Sequence, residues 1–169
     1  MGQVITAFVA DFMFQMRIES ASEKLDLRVR WLENADQVTS TDLDGLIALG
    51  SEGILVDQLA RMGPILLIFD LGNKAIPWDA WIPILKTDPA TRRIPVICYG
   101  SHVDVDTIKD ARKTGADEVV ARSRFVTALP ELIQKYIPRT DEELLAETCE
   151  EPLHPDAVKG LDLFNKGGN

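Results

Sequence analysis

Pro64-Ile65-Leu66-Leu67-Ile68-Phe69-Asp70 is the stretch whose reading decides the fold. Its five central residues are all apolar, a run too short for a helix and apolar on both alternations, as a strand in the middle of a parallel sheet must be. A strand of that kind presents its chemistry at its carboxyl end, which here is Asp70. Towards the N-terminus, Val4 to Ala10 is a second β-branched and aromatic run that stops at Asp11. Phe12 to Lys24 follows as a helix without Gly or Pro, its apolar positions being Met13, Met16 and Ile18. Leu27 to Leu32 alternates Leu27, Val29 and Trp31 against Arg28 and Arg30, which predicts a strand at a sheet edge with Arg30 pointing outward. Between Glu33 and Gly63 a helix at Leu55 to Met62 is preceded by a weakly patterned segment with Gly45, Gly50 and Gly53, for which an extra loop or short helix is expected.

Towards the C-terminus the strand-then-helix rhythm repeats. Trp78 to Lys86 reads as a helix that Pro83 is expected to break and restart. Pro95 to Tyr99 is an apolar strand leading into Gly100, Ser101 and His102. A helix from Asp104 to Thr114 is stopped by Gly115, and Glu118 to Ala121 gives a fifth strand ending at Arg122. A last helix spans Val126 to Tyr136 before Pro138. Five strands alternating with helices predict an α/β, doubly wound parallel sheet covered on both faces. Ligands of such sheets bind beyond the carboxyl ends of the strands, so Asp11, Asp70, Gly100, Ser101, Arg122 and Ser123 form one candidate rim.

The chain has 169 residues, 46% of them hydrophobic and 27% charged, which is one domain with room for a short appendage. No apolar run approaches the roughly 20 residues that cross a bilayer, and no signal-peptide pattern opens the chain, so a cytoplasmic protein is expected. Met1, Gly2 and Thr6 fit the loose myristoylation pattern, but the pattern is so permissive that Gly2 is expected merely to precede a strand. The net charge is −9, which argues against nucleic acid as a partner. Six of those charges lie between Asp141 and Glu151, leaving −3 to the rest of the chain. Cys98 and Cys149 have no partners at disulfide-scaffold or zinc-site spacing. There is no nucleophile elbow, Gly-rich phosphate loop or metal-binding His pair, so no enzyme activity is expected.

Leu85-Lys86-Thr87-Asp88-Pro89-Ala90-Thr91-Arg92-Arg93-Ile94-Pro95-Val96-Ile97, with Ala111 and Gly115-Ala116-Asp117-Glu118, resembles the receiver domain of two-component response regulators, and the resemblance extends over residues 3 to 137. It implies a flavodoxin-like strand order of 2-1-3-4-5. A working receiver accepts a phosphoryl group on an aspartate ending strand three, with Mg²⁺ held by that aspartate and an acidic pair ending strand one. Asp70 matches the acceptor, but Ala10-Asp11 supplies one acid where the family has two. The resemblance aligns Gly100 with the family's Ser or Thr, with Ser101 displaced by one; Ser101 substitutes only if the backbone leaves the strand at Gly100. Val119 stands at the position of the switching aromatic, Arg122 at that of the strand-five Lys, and Ser123 at that of the following Pro.

These departures predict a degenerate receiver, a bacterial signalling module for protein partners that works without phosphorylation or cofactor. Arg122 is expected to pair permanently with Asp70, the alternative being that it points to solvent. The rival is an active phospho-acceptor using Asp70, with Mg²⁺ on Asp11 and Asp70. A third reading is a small-anion or metabolite sensor, with Ser101, His102, Arg122, Ser123 and Arg124 placing donors on the rim. The resemblance also suggests a homodimer through the face formed by 104–114, 118–121 and 126–136. The expected organisation is a receiver-like domain at 1–138, an acidic linker at 139–153 and a C-terminal helix at 154–169. Residues 155–167 resemble the first helix of a small all-helical domain family of unknown function.

Overall fold

The computed structural model describes residues 2–38 and 51–138. Gly45 and Gly50, the acidic segment from Asp141 to Glu151, Cys149 and the expected C-terminal helix lie outside the described residues. Five parallel strands form one sheet in the order β2-β1-β3-β4-β5: β1 (Val4–Phe8), β2 (Arg28–Trp31), β3 (Leu66–Asp70), β4 (Val96–Gly100) and β5 (Glu118–Ala121). Six helices connect or follow them: α1 (Phe12–Glu23), α2 (Ser51–Met62), α3 (Trp78–Thr87), α4 (Val105–Lys113), α5 (Arg122–Thr127) and α6 (Leu129–Gln134). A single 3-10 turn at Ala35–Gln37 follows β2.

Every residue of β3 and β4 is buried, whereas β2 alternates exposed Arg28 and Arg30 with half-buried Val29 and Trp31, as an edge strand does. Two cores result. Ile5, Ile68, Ile97 and Tyr99 face Ile18 of α1, Phe125 of α5 and Ile133 of α6. Phe8, Leu67, Phe69 and Cys98 face Leu59 of α2, Trp81 of α3 and Ala111 of α4. The second core is built around Phe8, whose ring stacks on Phe69 at 4.1 Å and meets Trp81 edge-on at 5.9 Å.

The stretch between α3 and β4 owes its sequence to a dense hydrogen-bond scheme. The Ala90 amide donates to Asp88 Oδ1 (2.8 Å) and the buried Thr91 hydroxyl to the Leu85 carbonyl (2.8 Å). Lys86 Nζ donates to the Ile94 carbonyl and to Asp117 Oδ2, which also accepts from the Val96 amide at 2.7 Å. One lysine and one aspartate thereby tie α3, the start of β4 and the entry to β5 together.

The structure corrects five of the expected boundaries. α2 begins at Ser51, not at Leu55, and contains Gly53. β1 ends at Phe8, not at Ala10, because the chain turns out of the sheet to place Asp11 as the N-cap of α1. α3 runs unbroken through Pro83. The N–H that proline lacks would have bonded the carbonyl of Asp79, an exposed first-turn residue whose carbonyl water can reach, and burial of Trp81, Ile82 and Leu85 holds the helix straight on. β4 includes Gly100, which is in register with Ala121. The single helix expected at Val126 to Tyr136 is two short ones, the first beginning directly at Arg122 and the second at Leu129 with Pro130 in its first turn.

Candidate functional site

The strand order reverses between β1 and β3, so the crevice of this sheet opens where Asp11 and Asp70 sit. Asp70 closes β3 opposite Tyr99 of β4, and the pleat puts both on the α1 and α5 side of the sheet. Its side chain is only 5% exposed. Oδ1 accepts the Gly72 amide at 2.8 Å and faces Arg122 Nη2 at 3.4 Å. The loop that carries Gly72 is itself clamped: the Leu71 amide donates to the Tyr99 carbonyl (2.9 Å) and Asn73 Nδ2 to the Glu33 carbonyl (2.8 Å).

Arg122 reaches this position because it is the first residue of α5, with its side chain 43% exposed and its guanidinium carbon 5.7 Å from the centre of the Phe14 ring. Tyr99 stacks on Phe14 (4.9 Å) and on Phe125 (4.1 Å), whose own ring centres are 6.3 Å apart, so the three rings form a triangular cluster. The Tyr99 hydroxyl and Arg122 Nε are both buried without a hydrogen-bond partner among the described residues. Burial, and then the negative charge of Asp70, push the Tyr99 phenol well above its ordinary pKa, so it stays protonated.

Gly72 is the residue that makes room. A Cβ built there would stand 2.5 Å from Arg122 Nη2 and 3.1 Å from Asp70 Oδ1. Gly72→Ala is therefore expected to displace the guanidinium while leaving both charged groups in the chain. Loss of the cross-peak linking Arg122 to the Phe14 ring in a nuclear Overhauser spectrum measures that displacement.

Asp11 has a local role of its own. It is exposed, and its Oδ1 accepts the amides of Met13 (2.9 Å) and Phe14 (3.4 Å). Asp11→Ala is expected to cost about 1 kcal/mol in urea denaturation, and Asp11→Asn only a few tenths, because asparagine caps equally well.

Gly100 and Ser101 do not provide a hydroxyl beside Asp70. By alternation Gly100 faces the side of the sheet opposite Tyr99, and a Cβ there would meet the Leu71 side chain at 3.2 Å. β4 ends at Gly100, no hydrogen bond joins the Ser101 hydroxyl to Asp70 among the described residues, and the Ser101 carbonyl accepts the Asp104 amide (3.1 Å). His102, Ser123 and Arg124 are exposed. The structure thus brings Arg122 to Asp70, together with Gly72 and Tyr99, which the sequence did not single out. Strand register identifies Tyr99, and register is not written in any one segment.

Mg²⁺ fits this rim poorly. Asp11 and Asp70 are the two carboxylates available, no cluster of three metal-ligating side chains occurs among the described residues, and a guanidinium already faces Asp70 Oδ1. Arg122 sets a positive charge of the protein's own against Asp70 Oδ1.

No family model matches the sequence, and no curated protein does. Solved structures do match. The receiver domain of a sensor histidine kinase from Pseudomonas aeruginosa, with a magnesium ion coordinated in its active-site cleft, aligns with a TM-score of 0.60 at 15% identity, covering 80% of this chain and 98% of that one. A response regulator from Hahella chejuensis aligns with a TM-score of 0.62 at 13% identity, covering 80% and 96%. The phosphorylated cyanobacterial phytochrome response regulator aligns with a TM-score of 0.56 at 14% identity, covering 80% and 91%. These structural neighbours are two-component receiver domains, and at such identities the likeness establishes the fold.

Proposed function

We propose that this chain is a regulatory interaction module on the receiver fold that works without phosphorylation, its rim held in one state by Arg122 standing on Asp70. The observation that carries the reading is the buried Asp70 carboxylate with Gly72 N–H and Arg122 on the same oxygen. Phosphoryl transfer to a carboxylate needs an accessible oxygen, a cation shared with the phosphoryl group, and donors for the developing charge. Here the cation is a side chain fixed by Phe14 and Asp70, the second acid of the pair is Ala10, and the hydroxyl position is Gly100. A receiver neighbour holds magnesium in its cleft; in this chain Mg²⁺ at Asp70 would share the carboxylate with the Arg122 guanidinium that faces Oδ1.

The module in this reading spans residues 1–138, followed by an acidic linker at 139–153 and a helix at 154–169. It serves cytoplasmic signalling through protein partners, pairs with a second copy through the face formed by 104–114, 118–121 and 126–136, and has no catalytic activity. No helix among the described residues is long and apolar enough to cross a membrane.

The test is incubation of the full chain with acetyl phosphate and Mg²⁺ followed by intact-mass spectrometry, with Asp70→Asn as the control. The expected result is no phosphoryl adduct that depends on Asp70. An adduct on the native chain that disappears in Asp70→Asn makes the protein an active phospho-acceptor.

A further inference from the structure

The apolar residues of α1 do not all face the core. Ile18 and Ala21 are buried, but Phe12, Met13 and Met16 are 68%, 60% and 55% exposed. Three large apolar side chains within five residues of one helix are a patch and not a scatter of single residues. Met13 and Met16 line an open groove of about 330 Å³ between α1 and α6, completed by Arg17, Lys24, Leu129 and Pro130 with the small residues between them. Neither Asp70 nor Arg122 lines it.

The electrostatics of the groove are opposite to those of the chain. The protein carries −9 overall, yet the lining contains two cations and no carboxylate. Arg17 and Lys24 form no ion pair among the described residues; the carboxylates of the same two helices, at Glu19, Glu23 and Glu131, lie outside the lining. Arg17 and Lys24, the C-cap of α1, are seven residues apart, about two helical turns, so the two charges lie on the same face of the helix. Methionine side chains are flexible and polarizable, and suit a surface that accepts a partner's side chains.

We propose that the α1–α6 groove docks an acidic amphipathic helix of a partner protein, its apolar stripe on Met13, Met16 and Leu129 and its carboxylates on Arg17 and Lys24. A trough between two helices takes a third helix by ridges-into-grooves packing, and a stripe at i, i+3/i+4 and i+7 matches its length. A bilayer is the poorer partner: two cations on a chain of net charge −9 fall short of the polybasic cluster that anionic lipid requires.

The experiment titrates the full chain with a fluorescein-labelled synthetic helix of about four turns, bearing leucine on one face and glutamate along its edges, and with the counterpart in which lysine replaces glutamate. The expected result is binding of the glutamate helix at least about tenfold tighter than the lysine helix, weakening as salt is raised. Met16→Glu and Arg17→Glu are each expected to reduce that affinity about tenfold, and the exposed control Val103→Glu to leave it unchanged. The ¹³C-methyl signals of Met13 and Met16 are expected to shift on binding. Equal affinity for the two helices, or affinity indifferent to both groove variants, overturns the proposal. Shifts of the Met13 and Met16 methyls with protein concentration alone overturn it in favour of a second copy. Binding to phosphatidylglycerol vesicles with no binding of the glutamate helix overturns it in favour of a membrane.

Discussion

Tyr99→Ala is expected to cost about 3–5 kcal/mol in urea denaturation, while Tyr99→Phe is expected to be neutral or slightly stabilising. The ring is fully buried against Phe14 and Phe125, so truncation to alanine removes an aromatic side chain from a three-ring cluster and leaves a cavity on the strand beside Asp70. The hydroxyl is a different matter. It is buried without a hydrogen bond of standard geometry among the described residues, the Asp70 carboxylate being its acidic neighbour, and removing an unsatisfied polar atom relieves a desolvation penalty. A loss of more than about 1 kcal/mol in Tyr99→Phe shows instead that the phenol is engaged with the Asp70 carboxylate, and Tyr99 then belongs to the machinery of the rim.

Arg122→Met is the second large effect expected, about 1–2 kcal/mol of destabilisation at neutral pH. Methionine keeps an unbranched stem able to lie against Phe14 but leaves the carboxylate of Asp70 buried with the Gly72 amide alone. Breaking a fully buried pair costs more, because the remaining charge is uncompensated; here the arginine side chain is 43% exposed and the contact is 3.4 Å, so solvent screens part of it. Urea denaturation followed by tryptophan fluorescence measures the loss. An unchanged midpoint means that the guanidinium contributes nothing to the rim.

The framework of this fold is legible from short segments because the decisive residues are neighbours in sequence. Ile65 to Phe69 specifies a strand buried on both faces, and Arg28-Val29-Arg30-Trp31 specifies an edge. The order β2-β1-β3-β4-β5 is the one the receiver resemblance implies, since right-handed crossovers by themselves leave the point of reversal open. What is not legible depends on contacts between segments. Pro83 looks like a break until Trp81, Ile82 and Leu85 are seen to be buried on one side of the helix. Met13, Met16 and Ile18 look alike as apolar positions of one helix, yet the core takes Ile18 and Ala21 from α1 and leaves the methionines exposed.

The rim divides in the same way. Asp70 and Arg122 are visible as chemistry at the ends of two strands. That Gly72 makes room for Arg122 is set by a turn geometry two residues past the strand, and that Tyr99 lies beside Asp70 is set by register. Asp11 illustrates the reverse, a carboxylate at the expected place whose Oδ1 is engaged by the amides of its own helix.

The pairing of Arg122 with Asp70 is tested most directly by the double-mutant cycle of Arg122→Met and Asp70→Asn, measured by urea denaturation at neutral pH. The structure predicts a favourable coupling of about 1 kcal/mol or more between the two side chains, with the double variant more stable than the two single losses would sum to. A coupling indistinguishable from zero means that Arg122 does not hold the carboxylate, and the account of a permanently set rim is then wrong.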